Sequence, residues 1–378
     1  MLVLTDYGFG LYVHWPFCQA KCPYCDFNSH VVTNIDQNDW ADAFVSEVER
    51  YGQETGPRTL NSIFFGGGTP SLMPPKTVEA IISAAQKTWQ FSNDIEITLE
   101  ANPTSVEAGN FRGFAQAGIN RVSVGVQALN DDDLRSLGRL HSVDEALQAI
   151  EIANSAFART SFDLIYARQN QTIEAWETEL KRALGLAGEH LSLYQLTIED
   201  GTAFGNRFRA GKLRGLPNED LQADMYELTQ ELCLTTGYGA YEISNHARPG
   251  SESRHNLIYW TSGEFAGIGP GAHGRLTIEG RRLATVAPSA PVVWLGRAIS
   301  GLGFDTETLT ANDVLEEKIL MGLRLSSGVY LTDEETSVFY NKIKALENMS
   351  LLSHQDNHLT IPAQHRLLQN RVVAELLS

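Results

Sequence analysis

Three cysteines, Cys18, Cys22 and Cys25, stand within "CQAKCPYC", while the remaining one of the chain's four, Cys233, lies far downstream. The Cys-x3-Cys-x2-Cys spacing can do one of a few things. Structural zinc commonly takes four protein ligands, often from two separated pairs. No second pair is present, so zinc would need His14 or His30 to complete its set. A four-iron, four-sulfur cluster takes four thiolates when the protein supplies them all. Three leave one iron free to bind a substrate or cofactor. The neighbouring Tyr24 and Phe27 would then shield the cluster from water and tune its potential. A reactive thiol set is the remaining reading. Cys233, in "LTQELCLTTG", reads as a buried structural thiol.

Other candidate groups stand near the ends of short β-rich runs. These runs are 10–15 ("GLYVHW"), 62–65 ("SIFF"), 95–100 ("IEITLE"), 121–127 ("RVSVGVQ"), 160–166 ("TSFDLIY") and 190–197 ("HLSLYQLT"). The first leads into the cysteines and the second into "GGGTP" at 66–70. The third ends in Glu100 and the fourth in Gln127. The fifth contains Asp163, and the sixth contains Tyr194 and Gln195. Amphipathic stretches at 40–51, 76–89, 107–117, 142–154 and 172–187 separate them, which implies βαβ units and a parallel sheet. Six units over roughly 190 residues predict a barrel or partial barrel, whose ligands bind at the C-terminal strand ends. A doubly wound sheet is the alternative.

The alternation weakens after about 235. Residues 236–306 read as an extension carrying "HNLIYW" and a Gly-rich loop. Residues 307–378 read as a small, mostly helical domain with a β-wing, following a core of 1–235. The formal net charge of −17 argues against nucleic acid, whose phosphates need clustered Lys and Arg. No apolar run approaches the roughly 18 residues of a membrane span. The start "MLVLTDYGFG" lacks the basic n-region of a signal peptide, so a cytoplasmic location is expected.

"CQAKCPYC" resembles the signature of the radical S-adenosylmethionine (SAM) family. The resemblance implies that the cysteines bind a 4Fe-4S cluster, that SAM chelates its open iron, and that the fold is a partial parallel (β/α)6 barrel. "YVHWPFC", "FFGGGTPSLM", "LEANPTS", "SVGVQALN", "LGRLHS", "DLIY", "LPNEDLQADMYEL" and "YEISNHARPGSESRHNLIYW" extend the resemblance over nearly the whole chain. They are similar to the group containing oxygen-independent coproporphyrinogen III oxidase and the heme chaperones of the HemW branch.

Carried over motif by motif, Tyr12 and Tyr24 should lie beside the cluster and SAM. Gly67, Gly68 and Thr69 should meet the methionine end of SAM. Glu100, Gln127, Arg139 and Asp163 should line the rest of the pocket, with Gln195 and His273 resting on shorter matches. The oxidase pattern has a further cysteine where Phe27 stands, and a longer segment before its cluster. "HNLIYW" at 255–260 matches a chaperone-branch motif implicated in heme binding, which makes His255 a candidate axial ligand and Tyr259 and Trp260 candidate stacking partners.

The resemblance therefore implies a heme chaperone that passes heme to an acceptor protein, with no catalytic residue assigned. Peripheral membrane contact through that acceptor is a further implication. The alternative is the oxidase, decarboxylating two propionates of coproporphyrinogen III; a zinc-bearing structural protein is a third. One departure is "ARQNQT" after "DLIY", where the family has a Gly-Leu-Pro-type turn. Ala167, Arg168 and Gln169 there bring SAM affinity into question.

Overall fold

The computed structural model describes residues 8–32 and 35–378. Residues 1–7, part of the stretch read for a leader, lie outside it. The six β-rich runs form six parallel strands: β1 (Phe9–Trp15), β2 (Thr59–Gly67), β3 (Gln90–Ala101), β4 (Arg121–Gln127), β5 (Arg159–Tyr166) and β6 (His190–Gln195). They lie side by side in chain order. The sheet curves without closing, giving the partial barrel.

Each strand carries two different faces. Leu11, Val13 and Trp15 of β1 are fully buried against the helix layer. There Trp15 meets Trp40 and Phe44 of the helix Gln37–Thr55. The opposite face is also buried but polar: Ser62, Glu96, Thr98, Arg121, Ser123, Ser161 and Ser192. A buried polar group must find hydrogen bonds, and these find them across strands. Arg121 donates to Thr98 and Ser161, and Ser161 to Ser123.

The helices start where the side chains dictate. Asp36, Ser142 and Thr172 each accept from the first-turn backbone of the helix that follows, at Gln37–Thr55, Val143–Ala156 and Ile173–Leu186. Ser142 and Glu145 complete a reciprocal capping box.

The segment after 235 is not an appendage to the barrel. It adds β7 (Gly239–Ala240) and β8 (Asn245–Ala247) beyond β6. On the other edge it adds β9 (Glu264–Ile268), β10 (His273–Ile278), β11 (Arg281–Val286) and β12 (Asp305–Thr308). β9 lies parallel to β1 and makes a seventh parallel strand. Between β8 and β9, the short helix Arg254–Trp260 packs against β1, β2 and β9.

The last quarter of the chain builds its own apolar cluster from Leu315, Ile319, Phe339, Ile343, Leu359, Val372 and others. It comprises the helices Ala311–Gly322, Asp333–Asn348 and Gln369–Leu377 and a three-stranded wing.

Candidate functional site

The C-terminal strand ends open into a cavity of about 640 Å3. Cys18, Cys22 and Cys25 line it, and so do Tyr24, Gly67, Gly68, Thr69, Glu100, Gln127, Arg139, Asp163 and Gln195. The sequence therefore named residues from every strand end, and the fold gathers them in one place. The register explains how. Glu100 pairs with Ser123, Ser123 with Ser161, and Asp163 with Ser192. Glu100 and Asp163 thus flank Ser123, which donates to Asp163 Oδ1 at 3.1 Å.

The cysteine loop is fastened on both sides. Phe17–Cys18 pairs with His30–Val31, and Asn28 donates to the carbonyls of Pro270 and Ser289 at 2.9 Å each. His14 Nε2 lies 2.9 Å from the carbonyl oxygen of Asn28, so it is the donor. Its Nδ1 then accepts from Tyr12 Oη at 2.9 Å. Both ring nitrogens are engaged, and burial holds this imidazole below its ordinary pKa. The side chain of His14 is therefore no spare zinc ligand.

Two glycines bring backbone close to the cavity floor. Gly67 has φ +109°, and a Cβ there would sit 2.6 Å from the His14 ring. A Cβ on Gly68 would sit 2.7 Å from the Phe17 carbonyl oxygen. Gln127 holds φ +70° without being glycine, where the pairing of β4 with β5 slips between Val124 and Gln127. That bulge re-aims the strand end.

Polar groups surround the thiols. Arg139 Nη1 is 3.4 Å from Cys22 Sγ, and Arg139 Nη2 donates to the Gly125 carbonyl at 3.0 Å and to Asn102. Arg139 Nε is buried with no partner. Thr69 Oγ1 donates toward Cys18 Sγ at 3.4 Å and accepts from Asn102 Nδ2 at 3.2 Å. Burial pushes the Cys18 and Cys25 thiols above their ordinary pKa, so metal loading must release their protons. Burial, reinforced by the Asp163 charge and eased by a hydrogen bond from the Gly67 backbone, pushes Glu100 up to about 8. Asp163 is raised too, chiefly by burial, against hydrogen bonds from Ser192 and Ser123.

These residues fit a cluster with SAM on it. Three thiols face one cavity. Among the described residues, however, no three His, Cys, Asp or Glu groups gather around a single ion. Thiolates that each hold a different iron of a cubane need not converge on one point. The glycines let the strand-end backbone close onto His14 and Phe17, where any Cβ would clash, and the carboxyl pair suits a cationic ligand.

Several expectations need correcting. Tyr12 does not line the cavity: its ring lies to one side of the Phe64 (6.4 Å) and His255 (5.7 Å) rings. His255 is 6 % exposed and also absent from the cavity wall. Its ring stacks on Phe64 at 4.2 Å and 16°, with Tyr259 edge-on at 4.5 Å. Burial lowers its pKa to about 3. His255 is buried outside the cavity wall, so in this conformation the cavity gives a heme iron no access to its ring, whose Nδ1 is buried without a partner. His273, at the start of β10, is exposed and does not line the cavity. Tyr24 is packed against Phe204; Phe27 lines the cavity beside the thiols but, at 59 % exposed, is packed against little of the protein. Phe27→Ser should therefore leave the reconstituted iron content at wild-type level and stability within about 0.5 kcal/mol, as surface changes do. Iron analysis and a denaturant midpoint check both; loss of iron would restore the shielding role.

The departure at 167–169 also turns away from the cavity. Arg168, 4 % exposed, pairs with Glu179 at 2.6 Å and Asp133 at 2.9 Å. None of Ala167, Arg168 and Gln169 lines the cavity; Ile165 and Tyr166, just before them, do. The sequence reading missed Asn102, which joins Thr69 to Arg139, and Arg324, Arg366 and Gln369 from the C-terminal quarter. Asn102 lies inside "LEANPTS" and was within reach; the C-terminal residues carry no motif.

Comparison with known proteins agrees with this geometry. Residues 12–183 match the family model described as the Radical SAM superfamily. The chain is 39 % identical over 328 residues to the mouse protein named radical S-adenosyl methionine domain-containing protein 1, mitochondrial, a match covering 85 % of this chain and 74 % of the relative. It is 42 % identical to the heme chaperone HemW of Haemophilus influenzae, covering 71 % and 70 %. It is 33 % identical to HemW of Bacillus subtilis, covering 97 % and 98 %. Among solved structures, the coproporphyrinogen III oxidase HemN of Escherichia coli superposes with a TM-score of 0.82 at 21 % identity, covering 98 % of this chain and 90 % of the other, and so shares the fold. With the three thiols, the glycine floor and the carboxyl pair on one partial barrel, and with relatives matched nearly end to end, the chain belongs to the radical SAM superfamily, in its HemW branch.

Proposed function

We propose that this protein is a heme chaperone, binding heme and passing it to an acceptor protein. The observation that carries the reading is the match with HemW of Bacillus subtilis along 97 % of the chain. The fold match to HemN, at 21 % identity, supports a common scaffold and no shared activity. Phe27, at the position of the extra oxidase-pattern cysteine, favours the same side.

In this reading Cys18, Cys22 and Cys25 hold the 4Fe-4S cluster, with SAM on its open iron. Gly67, Gly68 and Thr69 receive the methionine end of SAM. Tyr24 and Arg139 flank the Cys22 sulfur and offset its charge. Glu100 and Asp163, with Gln127 and Gln195 beside them, face the cationic part of SAM. When bound, the cluster supplies an electron that can cleave SAM; we assign this pair a gating role in heme release. Tyr12 and His255 support the pocket from beneath, and His273 sits outside it. A reducing compartment suits the three thiols, and among the described residues no helix is long and apolar enough to cross a membrane.

The test is an anaerobic titration of cluster-replete protein with hemin, followed by mixing with an apo heme protein. A saturable Soret change and transfer to the acceptor are expected. Failure to bind hemin would refute the reading.

A further inference from the structure

The cavity also takes lining residues from outside the strand ends and the cysteine loop. Arg324, Arg366, Leu367, Gln369 and Asn370 are among them, all from the C-terminal quarter. The two arginines of this group differ. Arg366 is a strut: its guanidinium donates to the carbonyls of Leu325 and Arg324. Arg324 holds nothing in the protein. Its guanidinium lies over the Trp260 ring, 4.7 Å from the centroid, and its Nε is buried without a partner. Among the described residues no carboxylate pairs with it. Glu242 has a charge that reaches Arg366, but it is tied to the Ser244 backbone and the Asn245 amide.

Gln369 adds a second unsatisfied group. It is 2 % exposed, lines the cavity, and its Oε1 has no hydrogen-bond partner. Because amide oxygen and nitrogen are interchangeable by rotation, the side chain can turn a donor outward. The helix that Gln369 opens adds no free donors of its own at this residue, because the 3-10 turn Ala363–Leu368 runs into it and the Gln369 backbone N–H bonds to the Arg366 carbonyl. An unpaired guanidinium and an unpaired buried amide thus line one cavity, in a chain whose formal charge is −17. What such a lining lacks is an anion with hydrogen-bond acceptors, and a planar guanidinium is built for carboxylate.

We propose that Arg324, with Gln369, receives a carboxylate of the cavity's ligand, and that this carboxylate is a propionate of the tetrapyrrole. The proposal rests on the heme reading above. SAM is the other carboxylate source, but the residues assigned to it come from the strand ends and the cysteine loop, not from this part of the lining. Trp260 gains a role from this arrangement. As the last residue of "HNLIYW" it is a positioning residue, holding the guanidinium by a cation–π contact. The motif thereby connects to the ligand through Trp260 rather than through His255.

The experiment uses the full, cluster-replete chain as wild type, Arg324→Gln and Arg324→Lys. Each is titrated with hemin, with iron protoporphyrin dimethyl ester, whose propionates are masked, and with SAM. Iron content and circular dichroism verify the fold. The expected result is hemin binding roughly 10-fold or more weaker in Arg324→Gln, with partial recovery in Arg324→Lys. The ester should bind wild type and Arg324→Gln alike, and SAM affinity should not change. Equal hemin affinity in wild type and Arg324→Gln would overturn the proposal while leaving the heme reading intact. An equal loss with the ester would overturn it too, because charge would not be what these residues read. Loss of SAM affinity with hemin affinity kept would hand the carboxylate to SAM. No hemin binding by wild type would refute the heme reading itself, a different signature from equal binding by both proteins.

Discussion

Cys22→Ala is expected to lose most of the iron that the wild-type chain takes up on anaerobic reconstitution, about four atoms per chain for a 4Fe-4S cluster. Cys22 lines the cavity with Cys18 and Cys25, and its sulfur sits 3.4 Å from Arg139 Nη1. No fourth cysteine is available there: Cys233 is fully buried in the apolar core, with burial pushing its thiol up to about 12. Cys233→Ala should therefore keep its iron and lose only some packing. Iron and acid-labile sulfide analysis on both variants decides the matter. Equal iron loss in the two would remove the assignment of the triad.

Glu100→Gln is expected to weaken SAM binding by about 1.5–3 kcal/mol, the loss of a hydrogen bond to a charged group. The pH dependence gives the sharper signature. With its pKa raised to about 8, Glu100 is mostly protonated at neutral pH in the ligand-free protein. A ligand bearing an ammonium and a sulfonium favours the carboxylate, so binding must expel the proton. Affinity in the wild type should therefore climb with pH through the neutral range and level off above 8, while Glu100→Gln should show a flatter profile.

Stability moves in the opposite sense. The folded pKa lies above the ordinary 4.5, so the folded chain holds this proton more tightly than the unfolded chain does. The resulting stabilisation is present below 4.5 and is lost as pH rises toward 8. Ligand-free Glu100→Gln escapes that loss and should melt above the wild type near pH 8. Equilibrium dialysis and melting curves over pH 6–9 measure both effects. A wild-type affinity independent of pH would exclude Glu100 as the group that meets the cation.

The six strands were legible because each reads as a short apolar run that stops at a polar group. Burial of alternate residues against the helix layer produces the apolar positions of the run, and the cavity selects the polar stop. β9 was not legible. Its residues sit in "GEFAGIGPGAHG", where glycines hide the pattern. They are glycines because a Cβ on Gly267 would meet the His273 backbone and one on Gly269 the His14 carbonyl. The strand-end part of the cavity lining was readable from motifs, since its residues stand at or next to the ends of the β-rich runs.

At His255 the motif names the residue type while the fold sets its surroundings. Its residue type permits ligation, but what surrounds it is set by Phe64 and Tyr12, distant in sequence, and they enclose it. The turn at Ala167–Gln169 shows the same limit from the other side. A departure from the family pattern looked relevant to SAM, whereas Arg168 spends its charge on Glu179 and Asp133, outside the cavity. Arg324 and Gln369 were illegible because their significance is a lack of partners, and only the folded chain shows which partners are missing.

The measurement that tests the central claim most directly runs two assays on one cluster-replete, anaerobic preparation. The first titrates hemin and follows its transfer to an apo heme protein. The second supplies SAM, an electron donor and coproporphyrinogen III, and counts decarboxylated product per chain. Heme chaperone activity predicts saturable hemin binding with transfer, and no product beyond a single turnover. Sustained multiple-turnover formation of protoporphyrinogen IX, with no retention of hemin, would contradict it.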